Sequence, residues 1–183
     1  MILPLSITIR EPIRLPVEVI EVDGLPKIIA GGTPVTPLNV ALKLKVEERG
    51  ATEASIETYS RAGRLYSEFA ARRERSLIDV TDEEFRWFVQ ALQDRPFPGG
   101  GGQQQTLPGE RGARTANLMV TLIYSLAAEM QNLYRVKFDW YRYRGVPNEL
   151  VDIVRAVGGH KRAKMFRRAH RVPHTPRKVL PLP

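Results

Sequence analysis

Six prolines fall within the first 37 residues, at Pro4, Pro12, Pro16, Pro26, Pro34 and Pro37. This spacing forbids a helix there and confines any strands to short or edge positions. The same stretch is rich in β-branched residues. Ile13 to Ile20 alternates imperfectly between apolar and polar, and Asp23-Gly24 is a turn signal between Val17–Val22 and Lys27–Ile29. Residues 1–36 are therefore predicted to form a short β-hairpin or arm with loose ends.

From Leu38 the period changes. Leu38, Ala41, Leu42 and Val46 share a helical face, Pro37 stands at its start and Gly50 follows its end, which predicts a helix over Leu38 to Arg49. A second helix, Glu53 to Glu74, carries Ile56, Tyr59, Gly63, Tyr66, Phe69 and Ala70 at spacings of three and four, with Arg61, Arg64 and Arg72 on its other side. Thr81-Asp82-Glu83-Glu84 reads as a capping box opening a third helix, whose apolar face is Phe85, Phe88, Val89 and Leu92. Trp87 lies off that stripe, either packed on a neighbouring helix or exposed. Residues Asp94 to Ala113 hold Pro96, Pro98, four glycines from Gly99 to Gly102 and three glutamines, which predicts a flexible surface loop. These glycines are no phosphate cradle, because no Gly-Lys-Ser/Thr follows them. The fourth helix, Thr115 to Tyr134, presents Leu118, Met119, Leu122, Ile123, Leu126, Met130 and Leu133, the widest apolar face in the chain. Glu149 to Val157 predicts a short last helix ending at Gly158-Gly159, and the prolines beyond it predict an extended tail.

The charge is unevenly placed. Residues 1–159 hold 20 Lys and Arg against 20 acids, whereas residues 160–183 hold eight Lys and Arg and no acid, so the net charge of +8 lies in the tail. Such a tail suits a polyanion, nucleic acid above all; the alternative is a solvated terminus. Cysteine is absent, which excludes disulfides and cysteine-ligated metal, and all three histidines lie in the last 24 residues. The longest apolar stretch, Leu118 to Met130, is shorter than a bilayer span, and Met1 to Ile9 lacks a signal peptide's basic start. A cytoplasmic protein, nucleoid-associated when bound to DNA, is the expectation.

Taken in order, these segments resemble the core-binding domain of the tyrosine recombinases, or phage integrases. The resemblance runs from about Leu38 to Leu180. Thr52-Glu53-Ala54-Ser55-Ile56-Glu57-Thr58-Tyr59-Ser60-Arg61 is similar to the family's opening pattern, and Leu65-Tyr66-Ser67-Glu68-Phe69 to its continuation. Leu77-Ile78-Asp79-Val80-Thr81 through Phe88 resembles the stretch leading into the next helix. The helix from Thr115 and Gly145-Val146-Pro147-Asn148 follow in family order, and Pro173-His174-Thr175-Pro176-Arg177-Lys178-Val179-Leu180 resembles the linker into the catalytic domain. Two departures stand out: the loop before Ala113 is longer than usual, and Tyr124-Ser125 occupy positions where a basic residue is common.

The resemblance implies a mainly α fold, a four- to five-helix core-binding (SAM-like) bundle, preceded by the hairpin and followed by the basic tail. It divides the chain into 1–36 (arm), 37–158 (helical DNA-binding domain) and 159–183 (linker). The implied partner is double-stranded DNA, with self-association on DNA admitted and no membrane, small-molecule substrate, metal or cofactor. Expected DNA contacts are Arg61, Arg64, Arg111, Arg114, Thr115 and Asn117 on the body, with Lys161, Arg162, Lys164, Arg167 and Arg168 in the tail. For the arginines of the second helix, ion pairing to Glu57 and Glu68 on a solvated face is the competing reading. No catalytic residue is expected. In the family the nucleophilic tyrosine and its arginine and histidine partners follow the linker, and His174-Thr175-Pro176-Arg177 matches only their spacing, since its prolines prevent a helix. The other function class left open is a helical protein-interaction module that docks a partner through Trp87 or Tyr124.

Overall fold

The structure is a computed structural model and describes residues 6–47, 50–109, 111–142 and 170–173. The predicted last helix, the tail cations from Lys161 to Arg168 and the linker apart from residues 170–173 lie outside the described residues.

The N-terminal region forms a sheet. Strands β1 (Val17–Val22) and β2 (Leu25–Ala30) pair antiparallel, and β3 (Thr33–Pro34) joins the far edge of β2. Asp23 and Gly24 both have positive φ, +54° and +73°, the primed turn whose twist matches that of the strands it joins. Gly31 and Gly32 make a second two-residue turn with φ of +56° and +77°. Asn39 fastens the sheet to the first helix: its Oδ1 accepts the Ile28 N–H at 2.8 Å, and its Nδ2 donates to the Ile28 carbonyl at 3.0 Å.

Among the described residues four helices follow: α1 (Thr36–Glu47), α2 (Glu53–Arg72), α3 (Asp82–Ala91) and α4 (Ala113–Tyr134). The four helices and three-stranded antiparallel sheet make the fold mixed α/β, not mainly α. The reason is that the N-terminal residues are part of the core: Ile7, Ile9, Ile13, Val17, Ile28, Ala30 and Val35 are buried in one cluster with the helices. Among the described residues no helix is long and apolar enough to cross a membrane.

Local chemistry explains the helix starts. Thr52 caps α2 by accepting the Ser55 N–H. Thr81 and Glu84 form the predicted capping box of α3, Thr81 Oγ1 accepting the Glu84 N–H while Glu84 Oε2 accepts the Thr81 N–H. The Asp94–Ala113 stretch is more structured than a flexible loop. It folds into a small hairpin, β4 (Phe97–Pro98) with β5 (Gln104–Gln105), and buries Phe97 and Leu107. Arg73 donates to the carbonyls of Pro98 and Gly99, and the Gly100 N–H donates to the Arg72 carbonyl.

The face of α4 is rotated from the one its leucines suggest. Leu118 and Leu133 are each 45% exposed, while Ala116, Val120, Tyr124 and Ala127 are buried. Small residues let neighbouring elements approach closely, and the Tyr124 hydroxyl finds partners inside. A buried ion pair joins α4 to α1, with Lys45 Nζ 2.6 Å from Glu129 Oε1.

Sheet and helix approach closely at Gly63. A Cβ there would stand 2.7 Å from Ile28 Cδ1, with Leu38 and Leu126 methyls at 3.7 Å. Gly63→Ala should therefore cost about 1–3 kcal/mol by overpacking, read from the denaturant midpoint, and adding Ile28→Val should recover part of the loss. An alanine variant as stable as the original chain would show that the sheet can move away from α2.

Candidate nucleic-acid interface

Two groups of charged side chains stand out among the described residues, one neutralised within the body and one in which arginines gather. Glu84 belongs to the first. Its Oε1 accepts from Arg73 Nη2 at 2.6 Å, Arg73 Nε at 3.0 Å and Arg75 Nε at 3.1 Å. Burial works to raise the Glu84 carboxyl, but the Thr81 N–H and then the two guanidiniums outweigh it and hold the group below its ordinary value. Arg73 also lies over the Trp87 ring, 5.0 Å from its centroid. Trp87 is thus half-buried and covered by a cation.

The second group is Arg61, Arg64 and Arg111. Arg61 and Arg64 stand one turn apart on α2, while Arg111 precedes α4 and is held by its own loop, donating to the carbonyls of Pro108 at 2.7 Å and Gly109 at 2.6 Å. The Arg111 guanidinium is pushed below its ordinary value, first by burial and then by the positive charges of Arg61 and Arg64. Three arginines from two elements therefore lie within each other's field. Glu68 opposes them, but it is already bonded to Arg72 at 2.9 Å and lies 3.7 Å from Arg64.

Arg114 and Thr115 are exposed in the first turn of α4. Gly112 is the N-cap and has no side chain to accept from the first-turn amides, and that turn holds no acid. Among the described residues, no side chain caps this helix start, whose amides carry a partial positive charge next to Arg111.

Asn117 differs from the rest, because its amide is committed inside the protein. Its Nδ2 donates to the Val172 carbonyl at 2.9 Å, and its Oδ1 accepts the Val172 N–H at 2.8 Å.

That pairing is half of a seat for residues 170–173. His170 is buried, with Nε2 2.9 Å from Asp82 Oδ1 and Nδ1 2.8 Å from Tyr124 Oη, and its ring meets Phe85 edge-on at 5.0 Å. One neutral tautomer satisfies both contacts: Nε2–H donates to the carboxylate and Nδ1 accepts from the phenol. Tyr124 is fully buried and sits beside the backbone of Trp140 and Arg142, with both carbonyls 3.0 Å from its Oη. It is therefore no exposed docking residue. Nothing in the sequence near Tyr124 points to His170, which lies 46 residues away.

Compared with known family models, curated proteins and solved structures, this chain matches none.

The histidine makes the seat sensitive to acid. Burial draws the His170 imidazole below its ordinary value; Asp82 pulls the other way, and Arg86 and Arg142 add to the lowering. With the folded-state value depressed, the seat's contribution to stability is complete above about pH 6.5, where the unfolded chain's histidine is neutral, and is lost as pH falls through the folded-state value. Thermal midpoints recorded from pH 7.5 down to 5.5 should fall for the natural chain, and His170→Phe should remove part of that fall. Equal slopes for the two proteins would show that His170 does not titrate in its seat.

Proposed function

We propose that this chain binds double-stranded DNA as the core-binding part of a tyrosine recombinase. The observation that supports it best is the convergence of Arg61, Arg64 and Arg111, beside an uncapped α4 whose first turn carries Arg114 and Thr115. Mutually repelling guanidiniums gain most when a polyanion lies across them. Phosphate oxygens supply the missing charge, accept from the guanidinium forks and meet the open amides of the helix start.

The family resemblance adds the tail. Lys161, Arg162, Lys164, Arg167 and Arg168 extend the positive surface along the sequence, as the recombinase linker does around DNA. Binding by this half of a clamp should be weak, near the non-specific range of about 10⁻⁴ to 10⁻⁶ M at physiological salt. It should also depend steeply on salt.

The test is titration of a fluorescent duplex at several salt concentrations, with the natural chain and with Arg61→Ala/Arg64→Ala/Arg111→Ala. Losing about three phosphate contacts should weaken binding at low salt and flatten the log–log salt dependence by roughly 2.7. Unchanged affinity and slope would remove the patch from any DNA interface. Absence of binding even at low salt would favour a protein partner.

A further inference from the structure

The edge of β2 that faces away from β1 ends in three different ways. Ala30 pairs with Thr33 of β3. Ile28 gives its N–H to Asn39 Oδ1, and its carbonyl accepts from Asn39 Nδ2 and from the Val35 N–H. Pro26, two residues earlier and so on the same edge, has no N–H to offer. Asn39 therefore holds α1 against the middle of β2. Beyond that fastening a groove of about 270 Å³ opens between strand and helix.

Its walls are apolar. Leu25 and Pro26 come from the strand, Val40, Leu42 and Val46 from α1, and Ile56 from the start of α2. Two cations, Lys27 and Lys43, share the lining, and among the described residues no acid does. Lys43 has Glu47 one turn on at 3.5 Å, but the two side chains are 61% and 56% exposed, and a pair so open to water contributes little. The volume lies just below the range of about 300–1,000 Å³ common for small-ligand pockets, which suits a small molecule and not a folded partner. An added peptide strand fits poorly as well, because Pro26 leaves no donor with which a ladder could continue.

We propose that this groove binds a small amphipathic anion of the medium-chain carboxylate class, its apolar body against Val40, Val46 and Ile56 and its charge met by Lys27 and Lys43. Removing the aliphatic body from water supplies the affinity, and the two ammonium groups select an anion over a neutral or cationic relative. None of the arginines of the candidate DNA interface lines the groove, so the proposal stands apart from the DNA reading.

The experiment titrates octanoate, octan-1-ol and octylamine into the full chain and follows amide NMR shifts. Octanoate should move the Leu25, Lys27, Val40 and Lys43 amides saturably and bind about fivefold more tightly than octan-1-ol, the worth of an exposed ion pair, with octylamine weaker than either. Lys27→Met/Lys43→Met keeps two apolar stems in the lining; it should bring octanoate down to the affinity of the alcohol and leave the alcohol's own affinity unchanged. Val46→Trp, which fills the groove from α1, should abolish the shifts for both, and the lysine variant carries the test if that chain does not fold. Shifts that never saturate, or that fall on Leu118 and Leu133 in place of the groove, overturn the site. Saturable binding in which acid and alcohol are equal, or in which the lysine variant holds octanoate as tightly as the natural chain, overturns the anionic ligand.

Discussion

Trp140 stacks on Phe85 with ring centroids 4.0 Å apart and planes 10° from parallel, and its indole N–H donates to Tyr66 Oη at 3.0 Å. Tyr66 passes the chain of bonds on, donating to the Leu77 carbonyl at 2.7 Å. All three rings are fully buried, so each polar atom among them must find its partner inside or bear the full cost of desolvation. Burial accordingly pushes the Tyr66 hydroxyl far above its ordinary value, keeping it neutral and able to donate. Tyr66 comes from α2, Phe85 and Phe88 from α3, and Tyr124 from α4. The segment that follows α4 supplies the tryptophan that joins them. The His170 seat is built on two of these rings, Phe85 and Tyr124. Its geometry is inherited from the hub.

Charge is handled by a different rule at each depth. Inside, cations and anions are paired: Lys45 with Glu129, Arg73 with Glu84, Arg72 with Glu68, while the exposed Arg75 reaches in to Glu84 from the surface. Removing one partner of such a pair leaves a charge without solvent, which is why they constrain the fold more than they stabilise it. Around Arg61, Arg64 and Arg111 the matching is thinner: among the described residues Glu68 is shared between Arg64 and Arg72, and its charge also reaches Arg111.

Much of the local structure was legible from residues alone. The capping box at Thr81 and Glu84, the Asp23-Gly24 turn and the four described helices are set by interactions within a few residues, and they stand close to where the spacing places them. The third strand was missed, although Gly31-Gly32 is itself a two-residue hairpin signal. Lys45 also left a trace: it continues the apolar stripe of Leu38, Ala41 and Leu42, as Glu129 does that of Leu126 and Met130, and a lone charge on a buried face implies an opposite one facing it. The His170 seat left none. Its members are brought together by the packing of α3 and α4, so no local pattern encodes it. Asn117 shows the limit from the other side, since a polar residue near a helix start looks the same in sequence whether it faces solvent or grips a neighbouring strand of chain.

The two tryptophans of the chain sit in contrasting surroundings. Trp140 is sealed from water with its N–H on a phenol, whereas Trp87 is half-buried under the guanidinium of Arg73. Their fluorescence therefore separates two events without any label. Opening of the aromatic hub moves Trp140 into water and shifts its emission to the red. Breaking the Arg73–Glu84 pair uncovers Trp87 and changes its intensity while the hub stays closed. The fold carries its own optical distinction between a local rearrangement at Arg73 and a loss of the core.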